Sequence, residues 1–373
     1  MRKARPPSPP GPPPASPLEG AVAVYAASVE QIREAQERIA PYAKVTPVHT
    51  CSTLSALMLP SRSDVDKETP HDEAVELFFK CETFQKGGAF KFRGAINSLL
   101  MLDDEQRERG VVTHSSGNHA GALALAAQTM GCPAYIVVPD GAPQCKLDAI
   151  ATYGGTITRC APTVEDREAT AARIQADTGA VLVPPYNHGP VICGQGTIGV
   201  EFLDQVPDLD CVIVPVSGGG MISGIATAVK AIKPDCAVLA AEPEGLWGNA
   251  ADCAESKRRG AVALDMPVPE TLADGLRAKL GDLTWPIIRD KVDDVVTVTE
   301  RDIVEAMRLI YERMKLVVEP SGAAGLAAAL SGQFGRWNRA GAGWGKTMRC
   351  RKVGVVLCGG NVDLGVLWKS YGL

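Results

Sequence analysis

The sequence lacks the features typical of membrane, nucleic-acid-binding and disulfide-bonded proteins. No apolar run in its 373 residues approaches the roughly 20 residues of a membrane-spanning helix. Lysine and arginine number 38 against 43 aspartates and glutamates, so no basic excess suggests a nucleic-acid partner. The 11 cysteines are odd in number and include no Cys-x-x-Cys pair. This pattern favours reduced thiols in a cytoplasmic compartment over a disulfide framework.

Length and composition are typical of a soluble globular enzyme with two structural domains, since 46% of the residues are hydrophobic and 22% are charged. Residues 1–18 differ from the rest, because they hold eight of the 27 prolines and three basic residues but no acid. Such a segment cannot bury a core, and we expect residues 1–23 to form a disordered tail. Organelle targeting is the alternative interpretation of this tail.

A lysine is predicted to lie where a strand gives way to a helix. Residues 75–80 form an apolar run typical of a buried strand, and residues 95–102 are typical of a helix with an apolar face. The pair Gly87-Gly88 makes a turn between them, which places Lys91 in the first helical turn. The positive end of a helix lowers the pKa of a lysine, and Schiff-base chemistry needs such a lysine. A solvated lysine on an ordinary helix is the alternative.

Three further glycine-containing motifs follow predicted strands. The segment Ser217-Gly218-Gly219-Gly220-Met221 lies between a strand at 212–216 and a helix, and its amides would form an anion cradle suited to phosphate. No Gly-Lys-Ser/Thr follows, which argues against a nucleoside triphosphate loop. A tight turn without a ligand is the alternative here. The other two motifs are Ser115-Ser116-Gly117-Asn118-His119, whose serines and asparagine could simply cap a helix, and Cys358-Gly359-Gly360-Asn361.

Together with Phe90-Lys91-x-Arg93-Gly94-Ala95, these motifs resemble the set found in fold-type II pyridoxal-phosphate enzymes, in family order over about residues 24–373. Within that family the sequence is most similar to the serine racemase and threonine/serine dehydratase group. The resemblance implies an α/β fold of the tryptophan synthase β-like type, with two interleaved α/β domains. Residues 24–108 and 188–373 would form a large cofactor-binding domain and residues 109–187 a small one, with the cofactor in the cleft. Alternating strands and helices after Val111 agree with this parallel α/β organisation.

The resemblance also implies how pyridoxal 5'-phosphate is bound. Lys91 matches the lysine that holds the cofactor covalently and later acts as base at Cα. Phe90 matches the residue beside the ring, and Asn118 matches the ligand of the ring hydroxyl. Cys358 matches the residue against the ring nitrogen, where a neutral thiol cannot hold the pyridinium proton as an aspartate would. The ring is then a weaker electron sink, which suits elimination and racemisation over transamination. The phosphate-binding residues would be Ser217, Gly218, Gly219, Gly220 and Met221.

The reaction implied is the interconversion of L- and D-serine, accompanied by elimination to pyruvate and ammonia. Racemisation needs a second acid/base opposite Lys91, and Ser116 matches that residue in serine racemases. The residues that match those gathering the substrate carboxylate are Ser115, Asn118, His119 and Arg167. For Arg167 a position on a helix surface is the alternative. A serine/threonine dehydratase without useful racemisation is the alternative function.

The resemblance also implies a metal ion, an effector and a homodimer. Glu242, Asp252 and the carbonyl of Ala250 match the ligands of Mg²⁺, with Ca²⁺ or Mn²⁺ as alternatives. The extra residues Glu244 to Asn249 depart from the family spacing, so two exposed loop acids are the alternative. Some members bind ATP at a subunit interface, although here Gly87 and Gly121 replace two contributing side chains. The positions that match that site are Ser52, Lys86, Tyr153, Lys315 and Asn361.

Two remaining expectations concern loops and a rival function. Residues 61–72 and residues 331–352 are expected to be surface insertions, the first polar and acidic, the second rich in Gly, Arg and Trp. The strand at 212–216, its glycine loop, the strand at 237–241 and Glu242 also mimic a dinucleotide-binding fold. That would make the chain an NAD-dependent oxidoreductase, but it leaves the Lys91 and Asn118 motifs unexplained.

Overall fold

The structure is a computed structural model that describes residues 25–58, 74–115, 117–142, 144–340, 349–363 and 365. The expected tail at 1–23 and the expected insertion at 61–72 lie outside these residues. In the described part of the chain, no helix is both long and apolar enough to cross a membrane.

Helices and strands alternate along most of the described chain. The helices are α1 (Val29–Ile39), α2 (Ser52–Ala56), α3 (Lys91–Leu100), α4 (Asp104–Arg109), α5 (Asn118–Met130), α6 (Gln144–Thr152), α7 (Val164–Thr178), α8 (Gly189–Gln205), α9 (Gly220–Ile232), α10 (Asp252–Arg259), α11 (Trp285–Lys291), α12 (Glu300–Leu309), α13 (Pro320–Leu330) and α14 (Gly332–Arg339). The strands are β1 (Val48–Thr50), β2 (Glu76–Cys81), β3 (Val111–His114), β4 (Ala134–Pro139), β5 (Thr156–Cys160), β6 (Val181–Leu182), β7 (Cys211–Pro215), β8 (Ala237–Pro243), β9 (Asp294–Val298) and β10 (Lys352–Leu357).

The strands form two sheets. A six-stranded sheet has the order β1-β2-β10-β7-β8-β9, in which β1 runs antiparallel to β2 and the other neighbours are parallel. A four-stranded parallel sheet has the order β5-β4-β3-β6 and takes all its strands from residues 111–182. The larger sheet takes its strands from both sides of that stretch. The predicted α/β fold with parallel sheets is therefore confirmed.

The centre of the six-stranded sheet is buried on both faces. Every residue of β7 and β8 is buried, as expected for parallel strands covered by helices on each side. Helix α13 packs against β7, β8 and β10, and seven of its 11 residues are alanine or glycine. A Cβ at Gly325 would lie 3.0 Å from Val355 Cγ1, so small residues let this helix approach the sheet closely.

The segment between β2 and α3 places Lys91 just beyond the carboxyl end of β2. Two short 3₁₀ turns, Glu82–Phe84 and Lys86–Gly88, follow β2. Gly87 and Gly88 have φ angles of 71° and 73°, which side chains disfavour, so the predicted glycine turn is confirmed. Lys91 is the first residue of α3, also as predicted, and no side chain caps this helix.

The expectation of a surface insertion from residue 331 is wrong for its first part. Residues 332–339 form α14, whose start is capped by the Ser331 hydroxyl accepting from Phe334 N. Phe334 is only 1% exposed and belongs to the main core, while Asn338 exchanges two hydrogen bonds with the backbone of Cys350. The segment packs because one face of this polar helix carries the aromatic side chain. Residues 341–348 lie outside the described residues.

Candidate active site

Lys91 points its amine at a backbone carbonyl in the segment that follows β6, and we call the space between this segment and the Lys91 loop the cleft. Its Nζ donates a hydrogen bond to Pro185 O at 2.7 Å and lies 5.0 Å from the centroid of the Phe90 ring. The residue is partly exposed, but its amine is desolvated, and this lowers the pKa of Lys91 to about 8. Near neutral pH a useful fraction of the amine is therefore unprotonated and nucleophilic.

Phe90 and Cys358 join the Lys91 loop to the end of β10. Phe90 N donates to Cys358 O at 3.0 Å, and Ala89 pairs with Gly359 in an isolated antiparallel bridge. Both side chains are buried, at 8% and 3% exposure. Burial raises the pKa of the Cys358 thiol well above its usual value, so the thiol stays protonated and neutral. This is the neutral sulfur that the sequence predicts.

The glycine loop before α9 is shaped by a tyrosine. A Cβ on Gly218 would lie 2.4 Å from the Tyr186 ring, and Gly219 has a φ of 91°. The first N–H groups of α9, which begins at Gly220, have no carbonyl partner within the helix and can take an anion. Ser217 adds no free donor, because its hydroxyl donates to Ala278 O and accepts from Ala278 N.

The amide of Asn118 is fixed in one orientation by two neighbours. Its Nδ2 donates to Glu319 Oε1 at 2.6 Å, and its Oδ1 accepts from Asn361 Nδ2 at 2.9 Å. Asn361 Nδ2 also donates a hydrogen bond to Gly87 O at 2.7 Å. One N–H of Asn118 therefore remains, and it can serve an oxygen such as a ring hydroxyl.

Glu319 is a site residue that sequence reasoning missed. It is 3% exposed, its backbone N donates to Gly359 O at 3.0 Å, and it lies at the start of α13. Burial raises the pKa of this carboxyl to about 8, so it is protonated at neutral pH. The only sequence signal is an acid directly before Pro320 at a helix start, which is common at exposed helix ends.

Two histidines present ring nitrogens without a hydrogen-bond partner among the described residues. His119 Nε2 lies 2.9 Å from Val183 O and must donate to it, which leaves Nδ1 as a bare acceptor. Burial, together with the nearby Lys91, lowers the pKa of His119 to about 3, so its ring is neutral. His188, which sequence reasoning also missed, has a buried Nδ1 without a partner, and burial lowers its pKa.

The remaining predicted substrate residues are brought close but not into mutual hydrogen bonds. Ser115 Oγ accepts from Gly117 N at 3.3 Å. Arg167 is half-buried in the first turn of α7, where its Nε donates to Thr163 O at 3.2 Å, and it is close enough to His114 to contribute to lowering that histidine's pKa. Ser116 lies outside the described residues.

The two predicted metal-binding carboxylates are buried side by side, at 5% exposure for Glu242 and 4% for Asp252. Glu242 accepts hydrogen bonds from the backbone N of Cys253 and Ala254, and Asp252 N donates to Ala250 O. Desolvation raises the pKa of Glu242 to about 8, and the adjacent Asp252 raises it as well. The alternative of two exposed loop acids is therefore wrong, since both lie inside the protein. No group of three or more His, Cys, Asp or Glu among the described residues is arranged to hold a metal.

The residues matched to an ATP site are only partly brought together. Lys315 lines a cavity of about 260 Å³ together with Gly88 and Gly360, the neighbour of Asn361. Lys86 lies 5.5 Å from the centroid of the Phe92 ring. Of the other described positions, Ser52 and Tyr153 do not line this cavity. The structure thus connects Asn361 to Asn118 in the candidate active site, but it does not assemble a nucleotide site within one chain.

A family model described as "Pyridoxal-phosphate dependent enzyme" matches residues 39–343. The chain belongs to this family. This pyridoxal-phosphate dependent enzyme is 52% identical to a serine racemase of Arabidopsis thaliana over 347 residues, which cover 93% of the chain and 97% of the relative. It is 42% identical to a beta-hydroxyaspartate dehydratase of Paracoccus denitrificans, with coverage of 91% and 98%. The structure of maize serine racemase matches with a TM-score of 0.83 and 50% identity, covering 93% of this chain and 98% of that one.

The residues of this pyridoxal-phosphate dependent enzyme fit the cofactor of the family. Three neighbouring contacts link these residues: Lys91 Nζ donates to Pro185 O, the glycine loop admits no Cβ beside the next residue, Tyr186, and Asn118 binds Glu319, whose charge acts on the pKa of Lys91. Membership of the family decides against the dinucleotide-binding alternative.

Proposed function

We propose that this enzyme interconverts L- and D-serine and, in the same site, eliminates water from serine to give an enamine, which water then hydrolyses to pyruvate and ammonia. The observation that carries the proposal is the 52% identity to a serine racemase over 93% of the chain. The buried, weakly basic amine of Lys91 beside the glycine loop supports it, since both activities need a proton taken from Cα.

The chain's own residues would divide the work of holding pyridoxal phosphate. Lys91 would bind it covalently, Phe90 would pack beside its ring, Asn118 would donate to its ring hydroxyl and Cys358 would face its ring nitrogen. The amides of residues 217–221 would bind the phosphate. Bound in this way, the cofactor supplies the electron sink that makes the Cα proton of an attached amino acid acidic.

Lys91 would move the proton on one face of the substrate. With a pKa of about 8, its amine is a base of moderate strength that can take the Cα proton of L-serine and return it. Racemisation also requires a proton donor on the other face, and we assign that role to Ser116 on the resemblance. Without the second donor the chain would be a dehydratase, the alternative that the Paracoccus relative illustrates.

The substrate carboxylate would be held at the start of α5. Ser115 and the backbone N–H groups of the first turn, including that of Asn118, offer donors there, and Arg167 adds a positive charge nearby. The His119 ring offers only an acceptor at Nδ1, so it would take a donor such as a substrate hydroxyl.

We further propose that Glu242, Asp252 and the carbonyl of Ala250 hold Mg²⁺. Two adjacent buried carboxylates favour a proton or a cation between them, and oxygen ligands suit a hard divalent ion. ATP as an effector, a homodimer, a small domain at residues 109–187 and a cytoplasmic location are the remaining parts of the proposal. Ten free cysteines among the described side chains support a reducing compartment.

One assay tests the proposed function. The purified enzyme with pyridoxal phosphate is given L-serine, and D-serine and pyruvate are quantified in the same samples. We expect both products. Pyruvate without D-serine would support the dehydratase alternative, and the absence of both products would show that the proposal is wrong.

A further inference from the structure

Three buried charged residues surround Arg93, a residue of the Lys91 motif that has no role in the chemistry above. Arg93 forms a two-pronged ion pair with Glu82, with both N–O distances 2.8 Å, and a second pair with Glu201 at 3.0 Å. Lys80 Nζ binds the same Glu201 at 2.6 Å. The hydroxyl of Thr46 donates to Glu82 at 2.6 Å. We call these five residues the Arg93 cluster.

The cluster is shielded from solvent, since the exposed fractions of its charged residues are 0% for Lys80 and Glu82, 1% for Arg93 and 7% for Glu201. Each charge has an opposite partner, so the set is neutral. Buried ion pairs are expensive to desolvate, and apolar residues of similar volume often stabilise a fold as well or better. Stability alone therefore does not explain why four charges lie beside Lys91.

The cluster encloses the chain segment that carries Lys91. Glu82 lies before the glycine turn and Arg93 lies in the first turn of α3, so their ion pair closes a loop of eleven residue steps around Lys91. Residues two positions apart in a helix point about 200° apart, so Arg93 reaches away from the cleft while Lys91 reaches into it. Since no described side chain caps α3, the pair with Glu82 links the first turn of this helix directly to the preceding loop, in addition to the backbone bond from Phe90 N to Cys358 O.

The same cluster also holds the element that faces the Lys91 amine. Glu201 lies on α8, and the carbonyl that accepts from Lys91 belongs to Pro185, four residues before this helix begins. Helices α3 and α8 cross in direct contact, since a Cβ on Gly194 would lie 2.6 Å from Arg93 O. The Arg93 cluster thus connects α3, which carries the Lys91 amine, with α8, which follows the accepting carbonyl of Pro185.

We propose that Arg93 is a positioning residue, and that its ion pairs with Glu82 and Glu201 fix α3 so that the Lys91 amine stays in its desolvated place in the cleft. The inference rests on the proposed role of Lys91. Without the cluster, the start of α3 can rotate or shift while the core of the protein remains packed. A displacement of about 1 Å at a reacting group costs on the order of 10²-fold in rate.

Two variants test this inference. Arg93→Lys keeps one charge but loses the two-pronged pair. Glu82→Met/Arg93→Met removes that pair and fills its volume, while Lys80 and Glu201 keep each other. Asp293→Asn is the control, because Asp293 forms a partly buried ion pair with Lys230 at 2.7 Å outside the candidate site. Melting temperature is measured by circular dichroism for all proteins.

The deciding measurement is the pKa of the Lys91 amine in cofactor-free protein, obtained by competitive labelling across pH and mass spectrometry. We expect about 8 for the wild type and for Asp293→Asn, and a rise toward the ordinary 10.5 in both cluster variants. Covalent attachment of added pyridoxal phosphate to Lys91 should slow on the order of 10²-fold in both cluster variants. Because labelling uses neither cofactor nor substrate, it is independent of whether the enzyme racemises serine.

The inference is overturned if a cluster variant with a near-wild-type melting temperature keeps the Lys91 pKa and the rate of cofactor attachment. It is equally overturned if neither cluster variant folds while Asp293→Asn does, since the cluster would then be a requirement for folding. If only Arg93→Lys fails to fold, the Lys91 pKa and the rate of cofactor attachment in Glu82→Met/Arg93→Met decide whether the inference holds.

Discussion

Burial sets the charge of individual side chains around the cleft. The amine of Lys91 and the ring of His119 lose affinity for protons, while the carboxyl of Glu319 and the thiol of Cys358 gain it, because each loses solvation as an ion. At neutral pH His119, Glu319 and Cys358 are therefore uncharged, while part of the Lys91 amine is unprotonated. A pKa of about 8 lets the Lys91 amine both take and return a proton near neutral pH, which suits reversible proton transfer at Cα.

Replacing Ser116 by alanine should separate the two proposed activities. Lys91 still takes the Cα proton of L-serine, so pyruvate formation from L-serine should survive. Return of a proton from the other face loses its donor, so D-serine formation should fall by about 10² to 10⁴-fold. Elimination from D-serine should fall with it, because that reaction starts on the Ser116 face.

The comparison lies within one variant, so partial misfolding would lower all rates together and could not imitate the pattern. Ser115→Ala, at the neighbouring hydroxyl proposed to bind the substrate carboxylate, is the comparison, and it should lower both reactions together. Equal losses of D-serine formation and of elimination from L-serine in Ser116→Ala would make Ser116 a binding residue instead.

Glu319 should make the stability of the cofactor-free protein depend on pH. Its pKa rises from 4.5 to about 8 on folding, so between these values the folded state holds a proton that the unfolded state has released. The stabilisation is complete below pH 4.5 and is lost as pH rises toward 8. One such proton corresponds to about 1.4 kcal/mol per pH unit.

Denaturant unfolding between pH 5 and 7.5 measures this slope. In Glu319→Gln the free energy of unfolding should fall less steeply with rising pH, and the difference should correspond to one proton. In EDTA-treated protein Glu242→Gln should change the slope in the same direction, because burial and the adjacent Asp252 raise the pKa of Glu242 as well. An unchanged slope in Glu319→Gln would contradict a protonated Glu319.

At the scale of elements, the glycine loop before α9 depends on the absence of a side chain. Gly218→Ala would place a Cβ 2.4 Å from the Tyr186 ring, so the loop or the tyrosine must move. We expect the affinity for pyridoxal phosphate, measured by absorbance titration, to fall on the order of 10²-fold, comparable to losing two or more hydrogen bonds to a charged group. Gly121→Ala is the control, since nothing lies within 4 Å of its Cβ and binding should be unchanged. Equal affinities for both variants would contradict the proposed phosphate cradle.

The elements that the sequence predicted are those with strong local signals. The strand before Lys91, the turn at Gly87-Gly88 and the start of α9 follow from apolar runs and positive-φ glycines. Helix α14 was missed because its glycines and arginines suggest an exposed loop, while a single buried Phe334 holds it to the core. Glu319 and the Arg93 cluster were missed because only the tertiary fold buries them and brings distant positions together.

At the scale of the whole molecule, a metal ion would connect folding to ligand binding. If Glu242 and Asp252 share Mg²⁺, EDTA should lower the melting temperature of the wild type and added Mg²⁺ should restore it. An ion present at 100 times its Kd stabilises the folded state by about 2.7 kcal/mol. Glu242→Ala should show no response to either reagent. Indifference of the wild type as well would show that the loop at residues 244–249 has abolished the site.

Covalent binding of pyridoxal phosphate through Lys91 can be tested by borohydride trapping. Borohydride reduces a carbon–nitrogen double bond between cofactor and lysine to a stable amine, which peptide mapping by mass spectrometry then locates. We expect a single adduct on Lys91, and none in Lys91→Ala. An adduct on the neighbouring Lys86, or no adduct in the wild type, would show that Lys91 does not bind the cofactor.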